Sequence, residues 1–127
     1  MYSGLKSDLE LSCNIEKISE GSLKNLYILN LKCENNFLIN VDIPKEINIF
    51  QDNEIIKFVI SKEKPQYTSN DFCAHGYVVT EKDYGNNNIL TIISLFGLLV
   101  RVTSPTGLVK QGKLSVMDHI YLCIKKT

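Results

Sequence analysis

The sequence predicts an all-β domain built as an eight-stranded barrel, and three observations support this prediction. The apolar segments are short and rich in β-branched and aromatic residues. Polar, asparagine-rich or glycine-containing breaks separate them, and there are eight such segments. Hydrophobic residues make up 44% and charged residues 22% of the 127 residues, which is close to the globular average and sufficient for one domain, residues 1–127, with a packed core.

Alternation of apolar and polar residues supports the individual strands. In Phe37–Ile43, every second residue is apolar and lies on one face of the strand, while Leu38, Asn40 and Asp42 lie on the other face. The first face is therefore predicted to point toward a core. The strands are predicted at Leu9–Ile18, Leu23–Cys33, Phe37–Ile43, Ile55–Ser61, Phe72–Glu81, Ile89–Leu95, Leu98–Thr103 and Ile120–Lys125.

The connections between these strands carry their own signals. Pro44 begins the segment PKEINIF, for which we predict a single helical turn that caps a barrel end, because proline suits the first helical position. Lys62–Asp71 and Gly85–Asn88 are rich in turn-forming residues and are predicted surface loops. Ser104–Lys113 contains glycines but lacks the spacing and the terminal Lys-Ser/Thr of a P-loop, so we interpret it as a long hairpin connection.

Two segments of the chain resemble each other. FLINVDIP at Phe37–Pro44 aligns with LLVRVTSP at Leu98–Pro105, and each is followed, after a loop, by another apolar strand. The shared leucine, valine and proline arise either by chance or from a duplicated half-barrel, and the sequence leaves both origins open.

The most apolar stretch, NILTIISLFGLLVRV at Asn88–Val102, needs a separate explanation. It is too short for a membrane span, which requires about 18 or more consecutive apolar residues. A buried helix is disfavoured because the stretch is rich in β-branched residues and contains Gly97 near its centre. We therefore predict two strands that turn at Phe96–Gly97.

Both faces of this predicted hairpin are apolar, whereas a barrel needs only one apolar face. Burial of each large apolar side chain is worth roughly 1.5–3 kcal/mol, so a bare outer face would be an interaction site. Either the N-terminal strand or the Lys62–Asp71 loop covers it, or a partner protein does, with Arg101 as a hydrogen-bond donor at its edge. The outer-face residues are Leu90, Ile92, Phe96 and Leu99.

Several motifs resemble the eighth subunit of archaeal and eukaryotic multisubunit RNA polymerases. They are GLLVR at Gly97–Arg101, IYLCIKK at Ile120–Lys126, GYVV at Gly76–Val79, and the opening ELSCNIEKI followed by KNLYILNLKC. The resemblance covers nearly the whole chain. Phe96-Gly97 replaces the two glycines common in eukaryotic members, and Lys62–Asp71 is short where they carry a long insertion, which points to the shorter archaeal form.

This resemblance implies a barrel of oligonucleotide/oligosaccharide-binding type and a non-catalytic assembly subunit docked on the largest polymerase subunit. Its location would be the cytoplasm, or the nucleus in a eukaryote. It implies no cofactor, no metal, no small-molecule substrate and no membrane contact. The predicted partner interface consists of Leu90, Ile92, Phe96, Gly97, Leu99 and Arg101.

No group of residues predicts catalysis or metal binding. Cys73 and His75 share a strand face but have no third ligand nearby in sequence, and His119 beside Asp118 has no accompanying nucleophile. The four cysteines are evenly spread without a CxxC pair, which favours free, buried thiols in a reducing compartment. The N-terminal MYSGLKSDLELS lacks the apolar core of a secretory signal.

The alternative function is a free-standing module that binds single-stranded nucleic acid. Barrels of this type stack bases on aromatic residues beside basic loops, and Tyr77, Tyr121 and Phe58 are candidates. However, the net charge is zero, and the strongest basic region is residues 101–127, with five basic residues against Asp118. Direct contact with nucleic acid is therefore possible but not expected.

Overall fold

The computed structural model describes residues 8–127, which form a closed barrel of eight antiparallel strands with two short 3-10 turns. The strands are β1 Leu9–Glu20, β2 Leu26–Cys33, β3 Leu38–Pro44, β4 Ile55–Ser61, β5 Asp71–Gly85, β6 Asn88–Leu95, β7 Leu98–Ser104 and β8 His119–Lys126, and the turns are Glu34–Asn36 and Lys45–Ile47. All eight predicted strands are confirmed, with β4 identical in its bounds. The expectation that the N-terminus carries no secretory signal falls mostly on residues 1–7, which lie outside the described residues.

The order of strands around the barrel is β1-β2-β3-β7-β6-β5-β8-β4, after which β4 pairs with β1. Alternate side chains of every strand point inward and fill the interior, so the barrel is a packed core. Within residues 8–127, no helix has the length and apolar composition to cross a lipid bilayer. The fold is therefore all-β, as predicted, and is consistent with the oligonucleotide/oligosaccharide-binding type.

Exchanging strands β1–β4 one for one with strands β5–β8 leaves every pair of neighbouring strands in the barrel unchanged. The halves also share a local detail. Ile15 donates its N–H to the Glu54 carbonyl and accepts from the Asn53 N–H, and Val78 makes the same two bonds with Asp118 and Met117. A bulge follows in both strands, and Asn53 and Met117 both have positive φ, 66° and 74°. These equivalences support a duplicated half-barrel over a chance similarity, with Ile15 equivalent to Val78, Asn53 to Met117, and Glu54 to Asp118.

Two connections close the ends of the barrel. Between β3 and β4, the predicted helical turn is present at Lys45–Ile47, and Phe50 is buried behind it. Between β7 and β8, the prediction of a hairpin connection at Ser104–Lys113 is wrong, because β7 and β8 are not neighbours in the barrel. This segment instead crosses the barrel end, where Leu108 and Leu114 are buried in the core.

The β7–β8 connection is held by the carboxylate of Glu81 on β5. Its two oxygens accept the backbone N–H groups of Leu108, Val109 and Lys110 at 2.8–2.9 Å, and one also accepts the Thr91 hydroxyl at 2.6 Å. Burial raises the pKa of the Glu81 carboxyl, but the hydrogen bonds from Thr91 and the three backbone groups outweigh burial and lower the pKa below its ordinary value of 4.5. The ionised carboxylate therefore stabilises the closed end.

The cysteines form two disulfide bonds, Cys13–Cys33 and Cys73–Cys123, so the expectation of free thiols is wrong. Each pair occupies directly opposite positions of two adjacent antiparallel strands, β1 with β2 and β5 with β8. The strand register brings together residues that are 20 and 50 positions apart in sequence. The even spacing of the cysteines carries no information about this register.

Gly76 on β5 is required by a close approach of β6. A Cβ at this position would lie 1.9 Å from the carbonyl oxygen of Ser94 and 2.8 Å from the Leu95 Cα. Because both are backbone atoms, no side-chain movement relieves the overlap. Gly76, the glycine of the GYVV motif, therefore allows β6 and the hairpin beyond it to pack closely against β5.

We expect Gly76→Ala to lower the free energy of unfolding by about 3 kcal/mol or to prevent folding, because it overpacks the contact between two strand backbones. Gly85→Asn is the matched control, since nothing lies within 4 Å of its added Cβ and asparagine tolerates the positive φ of 86° there. Urea unfolding measures both variants. Equal stabilities would show that β6 does not approach as closely as described.

Glu81→Gln is expected to lower the free energy of unfolding at neutral pH by about 1 kcal/mol, since a neutral amide replaces a partly exposed carboxylate that accepts four hydrogen bonds. Because the folded pKa is lowered, this stabilisation is fully present above pH 4.5 and is lost as the pH falls through the folded value. Urea unfolding at neutral and acidic pH measures the difference, with the exposed Glu16→Gln as control. A difference that does not shrink in acid would contradict the role of the ionised carboxylate.

Candidate protein-docking surface

The β6–β7 hairpin turns at Phe96–Gly97, as predicted, with φ of 54° and 103°. Two consecutive residues with positive φ are typical of the two-residue turn that matches the twist of a hairpin, where asparagine and glycine are preferred. Phenylalanine is unusual at the first of these positions, because the left-handed conformation costs roughly 1–2 kcal/mol for a residue with a Cβ. The side chain of Phe96 is nevertheless 69% exposed.

The connection at the corresponding position of the first half is longer and has different residues. Between β2 and β3, Asn35 and Asn36 have φ of 60° and 63°, close to the value at Phe96. Asparagine adopts this conformation readily. Two consecutive turn residues with positive φ are therefore common to both halves, and this backbone conformation does not require Phe96.

Phe96 belongs to a group of five rings on the outer surface, here called the ring cluster. Its members are His75 and Tyr77 of β5, Phe96, and His119 and Tyr121 of β8. The Phe96 ring meets the His75 ring edge-on at 5.0 Å between centroids, and Nδ1 of His75 lies 3.0 Å from Nε2 of His119, a hydrogen-bond distance. The cluster joins the hairpin tip to the adjacent face of the barrel.

Strand register explains the ring cluster. His75 lies opposite Tyr121 and Tyr77 opposite His119, and residues two apart on a strand point to the same face. Sequence reasoning misses the cluster because the two histidines are 44 residues apart and each lacks a chemical partner nearby in sequence. The signal is nevertheless present as the repeated pattern His-x-Tyr, at His75–Tyr77 within one predicted strand and at His119–Tyr121, which begins one residue before another.

The remaining residues of the predicted interface differ in exposure. Leu90 is only 7% exposed, so the expectation of a fully bare outer face is wrong at this residue, which its own chain buries. Ile92 and Leu99 are half-buried, and Gly97 is exposed. Arg101 is half-buried between Asn40 on β3 and Ile92 on β6 in register, and its guanidinium has no hydrogen bond or ion pair within residues 8–127.

Neither of the two segments considered as a cover lies over this hairpin. Strand β1 is part of the barrel wall between β2 and β4. The segment 62–70 joins β4 to β5 across the outside of β8, where its Gln66 carbonyl accepts a hydrogen bond from Lys125. It leaves a cavity of about 240 Å³ beside the ring cluster, lined in part by Pro65, Tyr67 and Tyr121. The tip of the hairpin remains uncovered by the described chain.

The other candidate residues have structural roles. Phe58 is completely buried in the core, so its predicted availability for base stacking is wrong, although Tyr77 and Tyr121 lie outside. Cys73 is bonded to Cys123. Asp118 accepts the Ser115 N–H and does not orient an imidazole. Among the described residues, no three histidine, cysteine or acidic side chains come together as metal ligands.

Comparison with known proteins identifies the family. The profile of the RpbG subunit of DNA-directed RNA polymerase matches residues 8–127. This chain belongs to the RpbG family of DNA-directed RNA polymerase subunits. The match spans all eight strands and includes both the hairpin tip and the ring cluster.

Three relatives of this RpbG family member are named DNA-directed RNA polymerase subunit Rpo8. The protein of Saccharolobus shibatae is 52% identical, over 94% of both chains. That of Saccharolobus solfataricus is 46% identical over 99% of this chain and 98% of its own, and that of Sulfolobus acidocaldarius is 44% identical over 91% and 95%. The resemblance to polymerase subunit 8, in its archaeal form, is confirmed.

The chain is also similar to the cytoplasmic molybdate-binding protein ModG, with a TM-score of 0.37 and 10% identity over 97% of this chain and 94% of that one. This level of similarity supports no conclusion about fold or function.

The isolated chain is expected to become more stable when Phe96 is replaced by asparagine. Phe96→Asn places the residue of the equivalent turn, Asn35, at the same backbone conformation, which should raise the free energy of unfolding by about 0.5–1 kcal/mol. Urea unfolding of the purified chain measures this. A loss of stability instead would mean that the contacts of the Phe96 ring with His75 and Tyr77 hold the hairpin in place.

Proposed function

We propose that this chain is a non-catalytic structural subunit of a DNA-directed RNA polymerase that docks on the largest polymerase subunit through the tip of the β6–β7 hairpin. The proposal is carried by Phe96, a large ring that is 69% exposed at a backbone position where asparagine would be favoured. A residue that destabilises the free chain and exposes apolar surface is expected where a partner covers it. Membership of the RpbG family supplies the kind of partner.

The docking surface has a centre and a rim. Phe96 and Gly97 form the exposed centre, and the half-buried Ile92 and Leu99 lie behind it on the two strands. Aromatic anchors surrounded by half-buried contacts are the usual source of binding energy in interfaces. Leu90 supports this surface from within the chain and does not contact the partner.

Arg101 supplies a polar contact at the rim. Its guanidinium has no partner within residues 8–127, and the outer face of β7 presents it beside Ile92. An arginine in this position donates two parallel hydrogen bonds to a carboxylate or to carbonyl oxygens of the partner. The contact would therefore set the orientation of the docked hairpin.

The ring cluster extends the docking surface onto β5 and β8. Tyr77 is exposed, and its ring lies 6.2 Å from that of Phe96. The neighbouring cavity beside Pro65 and Tyr67 is large enough to accept a side chain of the partner. The same partner that covers the hairpin tip would thus contact the cluster.

The proposal assigns the chain no reaction, no cofactor and no metal, and places it in the cytoplasm with the polymerase. The two disulfide bonds are compatible with this location, since intracellular proteins of hyperthermophilic archaea are rich in disulfides. Family membership favours this function over a free-standing nucleic-acid-binding module.

We expect Phe96→Asn and Leu99→Asp to leave the purified chain folded and to weaken its assembly with the polymerase large subunits by about 30-fold or more, the effect of losing one central anchor. The matched control is Leu23→Asn, which replaces an apolar residue of similar exposure, 62%, in the β1–β2 turn. Reconstitution with the large subunits, followed by affinity purification, measures assembly.

Circular dichroism and urea unfolding separate folding from docking in this experiment. Recovery of the Phe96→Asn variant in the complex at the level of the control would contradict the proposed surface. Loss of assembly in the control as well would show that the experiment detects any change of the barrel surface.

A further inference from the structure

Strand β5 has one unpaired edge in its second half. Its residues Asp71–Tyr77 pair with β8, and Val78 adds two hydrogen bonds with Met117 and Asp118. From Val79 onward, β5 pairs with β6 alone. Within residues 8–127, no further backbone hydrogen bond reaches the side of Val79–Asp83 that faces away from β6.

The equivalent edge in the first half is closed by a side chain. On β1, the Ile18 N–H points away from β2 and donates to the Asp52 carboxylate at 2.8 Å. The hydrogen bonds of Ile15 and Val78 align the two halves, so Asn53 is equivalent to Met117. The residues that precede these two, Asp52 and Val116, are therefore equivalent as well. The side chain of Val116 has no hydrogen-bond acceptor. The position that closes the strand edge in the first half therefore leaves the edge of β5 open in the second half.

Counting from the same alignment, Glu81 occupies the position of Ile18. Its backbone N–H is thus directed away from β6, toward the open side, while its carboxylate holds the β7–β8 connection. Because alternate residues of a strand direct their backbone groups to the same side, Asp83 follows the same direction. The open edge therefore presents a short row of donors and acceptors.

Exposed apolar residues lie beside this edge, whose own residues include the charged Glu81, Lys82 and Asp83. Met117 is 69% exposed and Tyr84 61%, and Val79 and Val116 are also exposed. An exposed strand edge with unpaired backbone groups and apolar flanks is a template for pairing with another strand. The edge is continuous with the ring cluster, since Tyr77 lies two residues before Val79 on β5.

We propose that an extended segment of the polymerase subunit that covers Phe96 adds as a further strand to the Val79–Asp83 edge of β5. Backbone groups of the incoming strand pair with those of β5, and its alternate side chains contact the apolar residues Val79, Val116 and Met117. This inference rests on the proposed function and specifies the second contact with the same partner. Continuity with the ring cluster and the missing acceptor at Val116 are the observations that carry it.

Hydrogen exchange of the reconstituted polymerase tests the proposal directly. In the isolated chain, the amides of Glu81 and Asp83 should exchange rapidly, whereas in the complex their exchange should slow by about tenfold or more, because each gains a backbone acceptor. The amides of the exposed turn Leu23–Asn25 serve as an internal reference. A complex that forms normally but leaves Glu81 and Asp83 unprotected would overturn the added strand and leave the docked hairpin intact.

A substitution that closes the edge provides a second test. Val116→Asp restores the acceptor found at Asp52 and should protect the Glu81 amide in the free chain, leave the barrel folded, and weaken assembly by about tenfold. Val116→Ala is the matched control, since it shortens the same side chain without adding an acceptor, and it should assemble almost normally. Equal assembly of the two variants would contradict the proposal.

Two further outcomes would overturn the proposal in different ways. If the free chain forms a dimer by light scattering and Val116→Asp, but not Val116→Ala, makes it monomeric, the edge pairs with a second copy and the proposed occupant is wrong. If the wild-type chain does not assemble with the polymerase subunits at all, the proposed function fails and this inference fails with it.

Discussion

The structure depends on closing one sheet on itself so that its backbone hydrogen-bonding groups are paired. Pairing of β3 with β7 and of β4 with β8 joins the two halves and removes the edges that each four-stranded unit would have alone. Beyond their bulges, β1 and β5 are each paired with a neighbouring strand on one side alone, because each of these strands is longer than its other neighbour. The barrel must satisfy those two extensions by other means, and the two halves do so differently.

The difference between the halves separates residues that support the fold from residues available for a partner. At the hairpin turns, Asn35 in the first half suits the backbone that Phe96 adopts at a cost in the second. Beside the bulges, Asp52 satisfies an N–H that Val116 leaves open. In both comparisons the first half has the polar residue that local geometry favours, and the second half has an exposed apolar residue. The departures are concentrated in the half that also carries the ring cluster.

Much of the fold could be predicted from sequence because alternation and turn residues act over a few positions. The eight strands, the Phe96–Gly97 turn and the cap at Lys45–Ile47 all follow from such local patterns. What depends on the barrel register could not be predicted. The disulfide pairs, the ring cluster and the crossover of the β7–β8 connection all join residues that are distant in sequence. Alternation predicts a hairpin that is apolar on both faces, but only the closed barrel shows that Leu90 is already buried.

In the second half of the barrel, the side chain that fixes the β7–β8 connection is separate from the backbone edge that is proposed to bind a partner. Glu81 illustrates this separation. Its carboxylate fixes the β7–β8 connection with four hydrogen bonds and belongs to the fold, while its backbone N–H lies on the unpaired edge of β5. Fixing the connection places Val116 and Met117 beside that edge, since Met117 is bonded to Val78. Hydrogen bonds within the barrel thus hold an exposed apolar border next to open backbone groups, and they do so without a partner. The proposed docking surface is therefore already formed in the free chain, which would limit the ordering entropy that docking must overcome.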